Sequence, residues 1–284
     1  VYFDIKKDEE YGKLSHFKLS DLKENAEGRI KKDEYDKENA EDFALWKAWD
    51  ASDGDVFWET SLGKGRPGWH IECSAMSIAK LGENIDIHTG GVDLIFPHHE
   101  NEIAQSECAT GKEFVKYWMH NEHLMVDGKK MAKSAGNFYT LRDLIDKGID
   151  PIAFRYWLYT GHYRTKVNFT VEAVEGSTVA LKKLYEAYLS LGQNHGSIDQ
   201  KYIEKLKEVM DDDLNTSQAI ALLWELAKDP NIQDKDKKST MLDFDKILGF
   251  GFDKAKEDII PNNIEALAQE REIARIKKDW TRSD

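Results

Sequence analysis

The sequence predicts an α/β segment followed by an all-helical bundle. Over residues 65–137, helical periodicity alternates with short apolar runs that break into glycine, the pattern of alternating helices and strands. From residue 141 onward, apolar residues recur every three to four positions, which indicates amphipathic helices. With 284 residues, 33% charged and 40% hydrophobic, the chain suits a soluble globular protein of one large or two medium domains.

Residues 1–64 are rich in charge and predict few regular elements. VYFDI at the start indicates a strand, LSDLKENA a short serine-capped helix, and KKDEYDKENAED a solvated linker. Residues 43–49, FALWKAW, are apolar residues interrupted by one lysine, and an SDGD turn follows them. This region therefore serves as the lead-in to the α/β segment.

The α/β segment is expected to contain two helices and two strands. IECSAMSIAKLG indicates a helix that ends at Gly82, because glycine commonly terminates helices. The next strand breaks into two glycines, which let a backbone approach a ligand closely. Ligands bind at the carboxyl ends of parallel strands, so a site is expected here. The remaining predicted elements are a strand at 85–88, a helix at 98–110 and a strand at 117–126.

The second half is expected to be a helical bundle. Its first helices are short, and the second of them begins with Pro151 at a position that tolerates proline. The apolar stripe of Leu223, Trp224 and Leu226 is interpreted as core rather than as a cofactor site. The predicted helices cover residues 141–148, 151–161, 170–191, 199–210, 216–228, 238–248 and 264–280.

Three side chains in the α/β segment suggest a zinc site. His98 and Glu102 are four positions apart at the start of a predicted helix, so both project from one face. With a thiolate from Cys73, they form a three-ligand set that leaves a coordination position open for a substrate atom. Cys108 lies about 240° around the helix from Glu102 and should face away. The alternative stays open that Cys73 is a small buried hydrophobe and the His/Glu pair is solvated.

The segment KKMAKSAGN, residues 129–137, suggests a phosphate-binding loop. Its lysines flank an apolar pair and precede a glycine turn, so they can follow phosphate charge as it develops during nucleotidyl transfer. The segment comes directly after an apolar, strand-like run, EHLMVD. A lysine pair in a loop is more often a solvated tip, and that reading remains the alternative.

The formal net charge of −13 argues against a protein that holds nucleic acid by a global basic field. Nucleic-acid binding would need local positive surface instead, although the C-terminal cluster is equally compatible with a solvated face. The candidates are Lys129, Lys130 and Lys133 in the loop, and Arg271, Arg275, Lys277, Lys278 and Arg282 near the C-terminus.

Location can also be predicted from the sequence. No apolar run approaches ~18 residues, and the first residues lack the apolar region of a secretory signal. Two cysteines do not make a disulfide framework and fit a reducing compartment. The expected location is therefore cytoplasmic, without membrane contact.

These motifs closely resemble the cysteinyl-tRNA synthetase family. KMAKS resembles the KMSKS loop of class I aminoacyl-tRNA synthetases, and GKGRPGWHIECSAM and FPHHENEIAQSE resemble segments of the cysteine enzymes. The similarity extends through FALWK, DLNTSQAI and IARIKKDW and so covers nearly the whole chain. It implies the second half of a class I Rossmann-like catalytic domain followed by an all-α helical bundle. The implied domains are a connective-insertion remainder and lead-in at 1–64, the catalytic half at 65–140, a stem-contact region at 141–170 and a tRNA-binding, anticodon-type bundle at 171–284.

The resemblance also implies an activity. Members of the family ligate L-cysteine to tRNA(Cys) through cysteinyl-adenylate, using ATP with Mg²⁺. One zinc ion per subunit binds the substrate thiolate. The implied partners are cysteine, ATP and tRNA(Cys), with the protein acting as a monomer.

Roles can be carried over at the positions that match. Cys73, His98 and Glu102 match zinc ligands, whereas a fourth family ligand, a cysteine, has no counterpart here. Ala132 replaces the usual serine of the lysine loop, which removes a hydroxyl but neither charge. The other matches are Trp69 beside the substrate side chain, His70, His88 and His99 around the zinc and substrate, Lys130 and Lys133 as catalytic, ATP-binding lysines, and Gly90, Gly91 and Asp93 near the adenosine.

The sequence departs from the family in length and in one motif. Members are longer, and no H-x-G-H tetrad of the HIGH type occurs in the chain. We therefore expect a fragment that is inactive by itself. Two alternatives remain: a cysteine ligase of the mycothiol pathway, which shares the zinc pocket and lysine loop, and a truncated paralogue acting as a tRNA-binding module. The long helical half favours the synthetase.

Overall fold

The computed structural model describes residues 1–16, 42–131, 136–256 and 262–280, without the side chains of Lys130 and of residues 262–265. The chain divides into two compact units, Val1–Met125 with Tyr163–Val167, and Val126–His162 with Asn168–Asp284. The helix predicted at residues 19–26 and the linker predicted at residues 31–42, apart from Asp42, lie outside the described residues. Among those described, no helix has the length and apolar character needed to cross a bilayer.

The first unit opens with two small antiparallel sheets. One glycine holds them close to the helix that follows, because a Cβ atom on Gly68 would lie 1.8 Å from the carbonyl oxygen of Ala44. The Gly68 N–H donates to the Leu45 carbonyl at 2.9 Å, which fixes the entry to that helix. The first sheet pairs β1 (Tyr2–Phe3) with β2 (Phe43–Ala44), and the second has β3 (Trp46–Ala48), β4 (Trp58–Thr60) and β5 (Gly63–Pro67) in the order β3-β5-β4.

A β-α-β unit follows these sheets. Helix α1 (Trp69–Leu81) ends at Gly82, as predicted. Strand β6 (Ile85–Gly91) and strand β7 (Val115–Asn121) pair in parallel, joined through helix α2 (Glu100–Thr110). Helix α2 is preceded by a single π-helical turn, Ile95–His99, which contains a cis Phe96–Pro97 bond and runs directly into α2, so the helix predicted from about His98 begins within this turn.

The strand predicted at 117–126 was wrong as a single element. It consists of β7 and β8 (Leu124–Val126), separated at Glu122, whose N–H donates to the Tyr163 carbonyl at 2.9 Å. Strand β8 lies in the middle of a second three-stranded sheet, between β9 (Lys129–Lys130) and β10 (Val167–Phe169). Strand β10 is an exception to the prediction that the second half is helical.

The second unit contains the predicted bundle. Its core includes Leu223 and Leu226, both fully buried, while Trp224 packs at the edge and donates its indole N–H to the Tyr156 hydroxyl at 2.9 Å. The interpretation of this stripe as core is therefore confirmed. The helices are α3 (Leu141–Asp146), α4 (Pro151–Tyr159), α5 (Val171–Ser190), α6 (Gln200–Asp211), α7 (Thr216–Lys228), α8 (Asp234–Leu248) and α9 (Asn262–Ile276).

A carboxylate fastens the end of α8 to the bundle core. Asp245 accepts hydrogen bonds from the N–H groups of Phe250, Gly251 and Phe252, at 2.5, 2.9 and 2.9 Å. Gly249 and Gly251 both have positive φ, so the chain reverses tightly here. The reversal places the Phe250 and Phe252 rings in the core, where both are buried.

We expect Asp245→Ala to lower the free energy of unfolding by about 2–4 kcal/mol, because several partly buried N–H groups lose their acceptor. Urea unfolding followed by circular dichroism measures the change. Asp243→Ala is the control, since Asp243 pairs with the exposed Lys246 one turn along the helix. A surface pair contributes about 1 kcal/mol or less. Equal effects of the two substitutions would contradict the assigned role of Asp245.

Candidate metal and substrate site

Cys73, His98 and Glu102 lie close together in the first unit. Cys73 is on α1, His98 is in the turn before α2, and Glu102 is on α2. One ligand atom from each lies within 4.8 Å of the others. Glu102 is fully buried and His98 is buried, while Cys73 is half-buried. The sequence placed His98 and Glu102 on one face by their spacing, but only the packing of α1 against α2 brings Cys73 to them.

Buried polar contacts fix α1 against α2 beside these ligands. Gln105 donates from Nε2 to the Ser74 hydroxyl at 2.6 Å and to the His70 carbonyl at 2.7 Å. The Ser106 hydroxyl also donates to the Ser74 hydroxyl, at 2.9 Å. These bonds join the positions flanking Cys73 to the positions following Glu102, so the thiol and the carboxylate are held at a fixed separation.

The donor set suits a zinc ion. His98 Nε2 lies 3.0 Å from Glu102 Oε1, yet this buried oxygen has no aligned hydrogen-bond partner among the described residues. A buried carboxylate oxygen without a donor is uncommon, and a shared cation would satisfy both it and the imidazole nitrogen. Sulfur, nitrogen and oxygen ligands together are those that zinc accepts.

The tautomer of His98 follows from its neighbour. His70 Nδ1 and His98 Nδ1 are 2.9 Å apart. If His98 offers the lone pair of Nε2 to a cation, its proton must lie on Nδ1 and be donated to His70. This is the usual way in which a second residue orients a metal-binding imidazole.

A second group of ligand atoms, from His88, His99 and Glu102, also lies within 4.8 Å. Two of its members are already paired with each other, because His88 Nε2 is 2.6 Å from Glu102 Oε2. It also lacks sulfur. We therefore favour the cysteine-containing group for zinc and interpret His88 as the residue that orients the Glu102 carboxylate.

Burial sets the protonation of the site. Desolvation would raise the pKa of Glu102, but its hydrogen bond to His88 and the approach of His98 lower the pKa to about 2. Burial, followed by the Glu102 charge, raises the pKa of the Cys73 thiol to about 11. Burial also lowers the pKa values of His70 and His99 to about 4. At neutral pH the Glu102 carboxylate is therefore ionised and the His70 and His99 imidazoles are neutral, while the Cys73 thiolate needs a cation to form.

Trp69 covers one side of the site. Its ring stacks on His98 with centroids 4.4 Å apart and planes inclined by 23°. A tryptophan is usually assigned to the core when only its place in the sequence is known, but Trp69 is 47% exposed. It can therefore contact both His98 and a ligand that enters from solvent.

Two site residues were missed from the sequence, Trp118 and His120. The Trp118 ring lies 4.8 Å from the His88 ring and 4.9 Å from the His99 ring, and His120 hydrogen-bonds His99. Both side chains come from β7, whose register pairs Trp118 with His88. The sequence feature that could have predicted them is the two-residue spacing of Trp118 and His120 within a predicted strand, because this spacing places both side chains on one face.

The glycine pair at the end of β6 allows close packing of the site. A Cβ on Gly90 would lie 2.6 Å from His99 Cε1, so this imidazole packs directly on the backbone. A Cβ on Gly91 would lie 2.5 Å from the Asp93 carboxylate. The predicted roles of Gly90, Gly91 and Asp93 in binding adenosine remain predictions, and Gly90 has this additional packing role.

The lysine loop belongs to the second unit. Lys129 and Lys130 form β9, and the Lys129 side chain is exposed. Lys133 and Ala132 lie outside the described residues, as does the Lys130 side chain. Their predicted contacts with ATP therefore remain predictions.

Comparison with known proteins identifies the chain. The sequence model of the family described as "tRNA synthetases class I (C) catalytic domain" matches residues 1–179, and that of the DALR domain matches residues 205–252. The chain belongs to the cysteinyl-tRNA synthetase family. The α/β half and the helical half predicted from the sequence correspond to these two matches, so the predicted fold class is confirmed.

Three curated relatives show how much of a family member's length this chain covers. Cysteine–tRNA ligases of Protochlamydia amoebophila, Brachyspira hyodysenteriae and Leptospira interrogans serovar Lai are 45%, 44% and 43% identical to this chain. Each alignment covers 100% of this chain but only 63%, 65% and 64% of the relative. The chain thus spans about two-thirds of the length of these synthetases.

We expect zinc to bind through Cys73 and Glu102. Elemental analysis of purified protein should show near-stoichiometric zinc that falls in both Cys73→Ser and Glu102→Ala, because each substitution removes a ligand atom. Cys108→Ser is the control, since Cys108 is exposed and belongs to neither group of ligand atoms found in the described residues. Full-length protein that contains no zinc would contradict the assignment.

We expect Gly90→Ala to displace His99. The added methyl group would overlap the imidazole, so the chemical shifts of the His99 and His120 rings should change and the midpoint of thermal unfolding should fall. Gly176→Ala is the control, because in the described part of the chain no atom outside the local helix backbone lies within 4 Å of the added methyl group. The free energy of unfolding of Gly176→Ala should be unchanged or higher by up to about 1 kcal/mol. Unchanged imidazole signals in Gly90→Ala would contradict the packing role of Gly90.

Proposed function

We propose that the full-length protein ligates L-cysteine to tRNA(Cys) with ATP, through cysteinyl-adenylate. The observation that carries this proposal is the buried group of Cys73, His98 and Glu102 beside the exposed Trp69, in a chain of this family. The names of the curated relatives support the same activity.

The buried ligand group gives a physical basis for the choice of cysteine. Bound zinc would supply a Lewis-acidic centre that prefers a thiolate to a hydroxyl group. Packing alone separates cysteine from serine by only a modest factor, because the two side chains differ in one atom. Selection by sulfur binding would remove the need for a separate hydrolytic editing site.

The surrounding residues act by holding and orienting these ligands. His70 accepts a hydrogen bond from His98 Nδ1, His88 holds the Glu102 carboxylate, and Trp69 covers the His98 ring. His88 and His99 are further candidates for accepting the proton that leaves the substrate thiol. Their rings are 4.7 Å apart, and His99 continues the hydrogen-bonded series to His120.

The remaining assignments extend the proposal to ATP and tRNA. Lys130 and Lys133 would contact the ATP phosphates with Mg²⁺, and Gly90, Gly91 and Asp93 the adenosine. The helical unit would bind tRNA, consistent with the DALR match at residues 205–252. This match favours the synthetase over a ligase that joins cysteine to an amino sugar. Monomeric assembly, a cytoplasmic location and the domain boundaries after residues 64, 140 and 170 stay predictions.

Aminoacylation of tRNA(Cys) by the full-length protein tests this function. We expect cysteine to be attached and serine to be rejected by at least about 10³-fold in kcat/KM, because the discrimination rests on a ligand bond rather than on packing. Glu102→Ala should lower kcat/KM for cysteine by at least about 100-fold, whereas Cys108→Ser should leave it unchanged. Ligation of cysteine to an amino sugar but not to tRNA, or tRNA binding without any ligation, would overturn the proposal.

A further inference from the structure

The hairpin that leads into the lysine loop has an unusually well-fixed turn. Strands β8 and β9 are joined by Asp127 and Gly128, whose φ values are +49° and +74°. Positive φ at both central residues is what a two-residue type I′ hairpin turn requires, and an Asp-Gly pair favours it. The lysines of β9 follow this turn by only one and two residues.

Both N–H groups of the turn are bonded to β10. Gly128 donates to the side-chain oxygen Oδ1 of Asn168 at 2.7 Å, and Asp127 donates to the Phe169 carbonyl at 3.2 Å. In a two-residue hairpin these two N–H groups are not needed for the pairing of the strands and ordinarily face water. The turn is therefore held by contacts beyond those that form the hairpin itself.

The Asn168 bond is exposed to solvent, which limits its contribution to folding stability. Formation of an exposed hydrogen bond replaces two protein–water bonds with a protein–protein bond and a water–water bond, so it contributes little to the net stability of a domain. Its geometric effect is greater, because the turn sets the direction of a strand that is only two residues long. Loss of the bond would let the turn and the lysines that follow it move together.

We propose that Asn168 is a positioning residue for the lysine loop. It fixes Gly128 and thereby the direction in which Lys129 and Lys130 enter the loop. This proposal rests on the proposed function, in which lysines of the loop contact the ATP phosphates. Stabilisation of phosphate charge depends on preorganised cations, and misplacement of a group by about 1 Å can cost about 100-fold in rate.

Two substitutions at Asn168 and a matched control test the proposal in the full-length protein. Asn168→Ala removes the acceptor oxygen, whereas Asn168→Asp keeps an oxygen at the same position. The control is Asn84→Ala, which also removes one exposed side-chain hydrogen bond, from Asn84 Nδ2 to the Glu113 carbonyl at 2.7 Å. The measurements are cysteine-dependent exchange of pyrophosphate into ATP and amide hydrogen exchange at Gly128.

We expect Asn168→Ala to lower kcat for pyrophosphate exchange by at least about tenfold, with KM for cysteine within about twofold of wild type, because the cysteine site is untouched. The Gly128 amide should exchange about tenfold faster. Asn168→Asp should restore both quantities to within about threefold of wild type, and Asn84→Ala should change neither.

Two results would overturn the positioning role. One is faster exchange at Gly128 in Asn168→Ala with kcat unchanged; the other is an equal loss of kcat in Asn168→Ala and Asn168→Asp. Failure of the proposed function looks different, because wild-type protein would then show no cysteine-dependent pyrophosphate exchange at all. In that case the positioning role fails with it.

Discussion

The candidate site depends on one buried carboxylate. Glu102 is fully inaccessible to solvent, and an ionised carboxylate in that position costs several kcal/mol unless its oxygens are matched by charge or by hydrogen-bond donors. Oε2 is matched by His88 at 2.6 Å. Oε1 faces His98 and the thiol of Cys73, which is the side where a cation would balance the charge. The neighbouring histidines, glycines and serines can be understood as the surroundings that this arrangement needs.

The residues around Glu102 include a series of contacting imidazoles, all buried except the half-buried His88. His70 contacts His98 on one side of the carboxylate, while His88, His99 and His120 continue on the other. Aromatic rings enclose the series, with Trp69 against His98 and Trp118 against His88 and His99. Neutral imidazoles can either donate or accept a hydrogen bond, so the series can adjust its protons when the charge at its centre changes.

The helical bundle of the second unit follows simpler physical rules than the site. Helices α3 to α7 begin at side-chain caps, and the bundle packs an apolar core, so little beyond apolar periodicity was needed to predict these helices. Periodicity was less informative near the turns. Helix α8 begins at Asp234, four residues before its predicted start at Lys238, and Lys237 in this added turn is buried although it is charged. Strand β10 was missed because three residues are too few for an alternating pattern.

The sequence by itself determined the order of α/β and helical halves, the shared face of His98 and Glu102, and, through its motifs, the family. These features depend on neighbours within a few positions or on long specific segments. Tertiary structure decided which distant groups meet. Cys73 lies 29 positions before Glu102 and reaches it because α1 packs on α2, and Trp118 and His120 join the site through the parallel register of β6 and β7. Spacing along the chain cannot give such contacts, because they arise from packing and strand pairing between separate elements.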